Sequence, residues 1–185
     1  MVRFGMVKGP LEMMDRIGLD TVARLVESLR PTIGERIPLQ AGFAAMARQQ
    51  MLGLRSSAGF YRHAGRRRRA NAHAVALWRS DAGDAWLERG TLSYADQIDL
   101  AQRRMVSLMV LEAVSCLREG VVEDADALDF AMAMAGWAPH RGGPLTYVRQ
   151  LGTDTFIERL EMLRRDFGGR FSVPDALRDL YEREA

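Results

Sequence analysis

His140 and Arg141 stand directly before a glycine pair and a proline in HRGGPLTYVRQLG. An imidazole and a guanidinium at the start of a helix are groups that could move a proton or hold an anion. The competing reading is a surface loop that asks no chemistry of either. Six arginines (Arg55, Arg62, Arg66, Arg67, Arg68, Arg69) fall in one stretch without an acid. Clustered guanidiniums neutralise phosphates, so the run Arg66–Arg69 reads as a nucleic-acid patch or as a solvated linker. The isoelectric point is near 9.0 while the formal net charge is only +2, so the basicity is local.

Other reactive side chains lack the company their chemistry needs. His63 and His73 have no cysteine or acid at ligand spacing, so no metal site is expected. Cys116 is the single cysteine; it excludes an internal disulfide and falls on an apolar helical stripe, as a small core residue would. Glu123, Asp124, Asp126 and Asp129 gather at a helix start, where negative charge is favoured, and need no acid–base dyad to explain them.

The elements that position these groups follow from an internal repeat. GPLEMMDRIGLDTVARLVESL, from Gly9, aligns without gaps on GPLTYVRQLGTDTFIERLEML, from Gly143, with 8 identities in 21 positions. Pro10 and Pro144 suit the first turn of a helix, where the missing N–H has no partner to lose. Gly18 and Gly152 then supply a left-handed stop, and the residues after them are expected to cap a second helix. Each copy is therefore a helix-turn-helix corner. From about Ser93 to Glu119 a 3.6-residue apolar period, a Ser93/Asp96 capping box and a terminating Gly120 predict one long helix. Asp124 is expected to cap a helix from Ala125 to about Ala135, ended by Gly136 and Pro139. Further helices are expected from about Ala41 to Met51 and from Pro174 to about Glu184, with turn formers Gly53, Ser56, Ser57 and Gly59 before an aromatic anchor, Phe60-Tyr61.

These elements predict an all-α chain of 185 residues in three parts: a truncated first repeat, 1–62; an arginine-rich linker, 63–90; and a complete second repeat, 91–185. A counterpart of the long helix would precede residue 1, so the chain is expected to begin inside a repeat and to leave an apolar groove on it that a partner covers. A hydrophobic content of 48% supports one core or two small ones. The opening MVRFGMVKGP has no signal-peptide run, and the richest apolar stretch, Met105 to Val114, is short and interrupted, so a cytoplasmic chain without a membrane span is expected.

Together GPLEMMDRIGLDTV, SSAGFY, MVLEAVSCLREG with GVVEDADALDFAMAM, and HRGGPLTYVRQLG resemble the helical C-terminal region of 3-hydroxyacyl-CoA dehydrogenases, in the tandem form found in multifunctional fatty-acid oxidation proteins. The resemblance implies a helical bundle of two related repeats that closes over an acyl-CoA and forms a dimer or pseudo-dimer interface. It places Lys8, Gly9, Pro10, His140 and Arg141 on the substrate side. In the complete enzymes a separate domain binds NAD and holds a catalytic His/Glu pair. These 185 residues contain no G-x-G-x-x-G fingerprint, so no catalytic residue and no cofactor-binding residue is assigned to this chain. The implied partners are a second copy or a separate NAD-binding domain. A non-enzymatic scaffold using Arg66–Arg69 for nucleic acid is the alternative.

Overall fold

The computed structural model describes residues 1–36, 41–82 and 92–182. In chain order they form α1 (Pro10–Ile17), α2 (Leu19–Ile33), α3 (Ala41–Arg48), β1 (Tyr61–Ala64), β2 (Arg67–Ala70), α4 (Ala72–Ala82), α5 (Tyr94–Arg118), α6 (Ala125–Met134), α7 (Pro144–Leu151), α8 (Thr153–Phe167) and α9 (Asp175–Glu182), with short 3-10 turns between. The chain divides into two compact units, one of Lys8–Thr91 and one of Leu92–Ala185 joined by Met1–Val7. Among the described residues the architecture is all-α apart from one antiparallel hairpin.

Both corners form as their sequences require. Pro10 and Pro144 each occupy the first helical position, and Gly18 (φ 102°, ψ 126°) and Gly152 (φ 93°, ψ 127°) turn the chain identically. Their backbone lies outside the left-handed helical well, and no side chain caps the following helix. A one-residue turn explains both departures from expectation: the same glycine ends one helix and starts the next, which leaves no position for a capping residue. The repeat also runs further than the sequence match. Moving α1, α2 and α3 by 134 positions reproduces the bounds of α7, α8 and α9, and Phe43 and Leu177 fill equivalent buried sites.

The unit of Lys8–Thr91 packs Leu19, Phe43, Met46, Met51 and Ala74 into its core. Helix α3 stops at Arg48, three residues short of the expected Met51. Gln50 takes a positive φ of 56° and the Met51 N–H returns to the Met46 carbonyl, which turns the Met51 side chain into the core. The segment read as a linker from His63 is instead β1, β2 and α4. Ala74, Leu77 and Trp78, at helical spacing, pack on that core, with Trp78 edge-on to Phe43 at 5.1 Å. The remainder of the expected linker, 83–90, lies outside the described residues. Nor does the first repeat own its first residues: Phe4 and Met6 are buried in the core of the other unit.

In that other unit, α5 begins where Ser93 accepts the Asp96 N–H and ends where Gly120 (φ 68°) sends its N–H to Leu117. Asp124 caps α6 by accepting the Ala127 N–H. Asp129 departs from the simple charge-cluster reading. It is buried, and its two oxygens accept the N–H groups of Leu145 (2.9 Å) and Thr146 (2.8 Å), so it caps α7 from α6. No helix of the described residues is long and apolar enough to cross a membrane.

Candidate functional site

The five substrate-side candidates fall in different units: Lys8, Gly9 and Pro10 in one, His140 and Arg141 in the other. Gly9 and Pro10 start α1, and Lys8 is half-buried just before it. His140 is exposed in a 3-10 turn and lies so close to Gly5 that a β-carbon there would collide with its ring. Arg141 is already engaged. Its Nε donates to the Phe4 carbonyl at 2.8 Å, and its guanidinium lies 4.4 Å from the Phe4 ring centre. It acts as a clamp on Met1–Val7, a role set by a contact across 137 positions that no local pattern reveals.

The densest polar constellation is one that sequence reading did not assemble. Asp15, on α1, is fully buried and accepts three hydrogen bonds: from the Phe60 N–H (2.8 Å), the Tyr61 N–H (2.9 Å) and His63 Nε2 (2.9 Å). One turn earlier, buried Glu12 pairs with Arg16 at 3.3 Å and with Arg68 on β2. Gly53 and Gly59 make room for this, since a β-carbon at either would sit inside contact distance of Asp15. A His–Asp pair can orient an imidazole for proton transfer. Here both carboxylate oxygens also hold main-chain N–H groups, and the imidazole is nearly enclosed, so the arrangement locks the hairpin onto α1. The neighbouring Asp20 binds Arg55 at 2.7 Å, and that hydrogen bond holds its carboxyl below the usual carboxylate range. Among the described residues no group of histidine, cysteine and acids could hold a metal ion.

Comparing the two corners exposes an asymmetry. Leu11 and Leu29 are 43% and 40% exposed, whereas their counterparts 134 positions on, Leu145 and Leu163, are 1% and 0% exposed. Residue type and helix position are the same, so only the surroundings differ. In the unit of Leu92–Ala185, α5 and α6 pack on α7, and Asp129 caps it. Among the described residues of the other unit no hydrogen bond gives α1 a carboxylate cap of the kind that Asp129 gives α7. Leu163→Ala is therefore expected to cost about 2–5 kcal/mol and Leu29→Ala under about 1 kcal/mol. Equal losses in denaturant titrations of the two variants would contradict an open face on α2.

The C-terminal domain of 3-hydroxyacyl-CoA dehydrogenase is the family whose pattern matches residues 1–63. The fatty acid oxidation complex subunit alpha of Shewanella loihica is 31% identical over 183 residues, 98% of this chain and 25% of its own length. That of Shewanella baltica is 28% identical over 186 residues, covering 100% of this chain and 25% of its own length. The chain thus spans about a quarter of the curated relatives it matches. Among solved structures, the dehydrogenase part of multifunctional enzyme 1 from C. elegans superposes with a TM-score of 0.60 at 18% identity, over 96% of this chain and 40% of its own. That likeness establishes the fold. A nicotinamide dinucleotide calls for a parallel strand–turn–helix crossover with a glycine-rich turn. The described residues do not fit it, because their sheet is a single antiparallel hairpin.

Proposed function

We propose that this chain, whose residues 1–63 match the C-terminal domain of 3-hydroxyacyl-CoA dehydrogenase and which is similar along its length to fatty acid oxidation complex alpha subunits, is the helical part of such an enzyme. In this role it closes over the acyl-CoA and provides the assembly interface, while hydride transfer depends on a nicotinamide-binding domain outside these 185 residues. The observation that carries the reading is the uncovered face of the first corner. Leu11 and Leu29 are exposed where their counterparts are buried, and among the described residues α1 does not receive the carboxylate cap that Asp129 gives α7. An apolar face of this kind, ending in an uncapped helix, is complemented by a helix pair like α5 and α6. It is covered by a second copy or by the partner that brings the nicotinamide site.

Co-purification tests the assignment. The chain is expected to capture a nicotinamide-binding partner and, with it, to support NAD-dependent oxidation of a 3-hydroxyacyl-CoA, while the isolated chain turns over none. Sedimentation separates the two coverings: a homodimer places a second copy on the face, and a heteromeric complex places the partner there. A stable monomer that captures nothing, or dehydrogenase activity from the isolated chain, would overturn the proposal.

A further inference from the structure

The hairpin carries its arginines in an arrangement that the functional reading leaves unused. Tyr61 pairs with Ala70, Arg62 with Arg69, His63 with Arg68 and Ala64 with Arg67. Directly opposed residues share a face, and faces alternate along each strand. The inner face therefore holds Tyr61, His63 and Arg68. Arg68 is neutralised there by Glu12, and its guanidinium lies 5.4 Å from the Tyr61 ring centre. The outer face holds Arg62, Arg69 and Arg67, with Arg66 in the turn after Gly65 (φ 59°). All four are exposed, and none has an ion-pair partner among the described residues. Like charges directly opposed on a sheet repel, so Arg62 facing Arg69 is unfavourable until an anion lies between them.

We infer that this outer face is a phosphate-binding surface for the nucleotide end of coenzyme A, an inference that rests on the acyl-CoA reading above. Cross-strand neighbours lie about 5 Å apart and same-face neighbours along a strand about 7 Å, a spacing that lets several guanidiniums reach several phosphates of one small ligand. Guanidinium forks match phosphate oxygens in pairs, which a run of lysines would not do. Coenzyme A carries a diphosphate and a 3′-phosphate on one compact nucleotide, and so uses the cluster fully. Single-stranded nucleic acid is less well served. It gains much of its affinity by stacking bases on aromatics, and the hairpin's aromatic rings, Tyr61 and His63, both lie on the inner face. The surroundings are also basic: Lys8–Thr91 contains fourteen lysines and arginines against eight acids.

Calorimetric titration of the whole chain at low ionic strength with coenzyme A, dephospho-coenzyme A and pantetheine tests this. Coenzyme A is expected to bind, dephospho-coenzyme A more weakly, and pantetheine not at all. The double variant Arg62→Ser/Arg69→Ser is expected to weaken coenzyme A about tenfold or more, and Arg165→Ser on α8 to leave it unchanged. Far-UV dichroism checks that the double variant folds. Should it not fold, hydrogen-exchange protection by coenzyme A in the wild-type chain, expected within 61–70, gives the same answer. Undiminished binding by a folded double variant, or protection elsewhere, overturns the hairpin site while leaving the acyl-CoA reading standing. An RNA oligonucleotide binding more tightly than coenzyme A with the same arginine dependence also overturns it and assigns the surface to nucleic acid. Failure to capture a nicotinamide-binding partner counts against the enzyme reading alone.

Discussion

Asp15→Ala is expected to destabilise the unit of Lys8–Thr91 by about 3–5 kcal/mol. The variant orphans the Phe60 and Tyr61 N–H groups and leaves His63 without its acceptor. A buried donor left unsatisfied costs about 1–3 kcal/mol, and three are lost at once. Asp15→Asn should cost less, because one oxygen survives. His63→Ala should cost least of the three, about 1–2 kcal/mol, since the carboxylate keeps both main-chain donors. Gly59→Ala attacks the same lock from the other side by driving a methyl group into the Asp15 carboxylate. Hydrogen exchange read by peptide, with denaturant as the variable, gives each loss and its location. A loss under about 1 kcal/mol for Asp15→Ala, or a ranking with His63→Ala at the top, would remove Asp15 from the centre of the lock.

That lock marks the boundary of what the sequence displays. The corners were legible because proline, glycine and helical apolar spacing act over a few residues; the caps at Ser93 and Asp124 were legible for the same reason. Asp15 meets its partners 45 to 48 positions away, and Asp129 caps a helix that starts 15 positions later, so neither role leaves a local trace. The hairpin was hidden for another reason. Four consecutive arginines erase the period-2 alternation by which a strand is recognised, even though Tyr61 and His63 face in and Arg62 and Ala64 face out. Ala74, Leu77 and Trp78 did carry a helical signal, masked by the basic run before them.

Phe4→Ala is expected to cost about 3–4 kcal/mol, and to cost it in the unit of Leu92–Ala185. Phe4 sits in the chain just ahead of α1, and a reading by sequence order assigns it to the first repeat. Its ring instead meets Trp137 edge-on at 5.2 Å and Tyr147 at 5.5 Å, with the Arg141 guanidinium above it. Truncation removes a buried ring and leaves a cavity among aromatic neighbours, whose edge-to-face contacts are worth about 0.5–1.5 kcal/mol each beyond simple burial. Arg141→Ala removes one hydrogen bond and the cation–π contacts with Phe4 and Tyr147, and should cost about 1–2 kcal/mol at the same place. The decisive readout is location. Protection should fall across Pro139–Leu151, where the 3-10 turn and α7 lean on Phe4, and remain unchanged across α3 and the hairpin. Destabilisation confined to residues 41–70 would return Met1–Val7 to the first repeat. Loss in α7 would establish that seven residues at the start of the chain complete a core built more than ninety positions later.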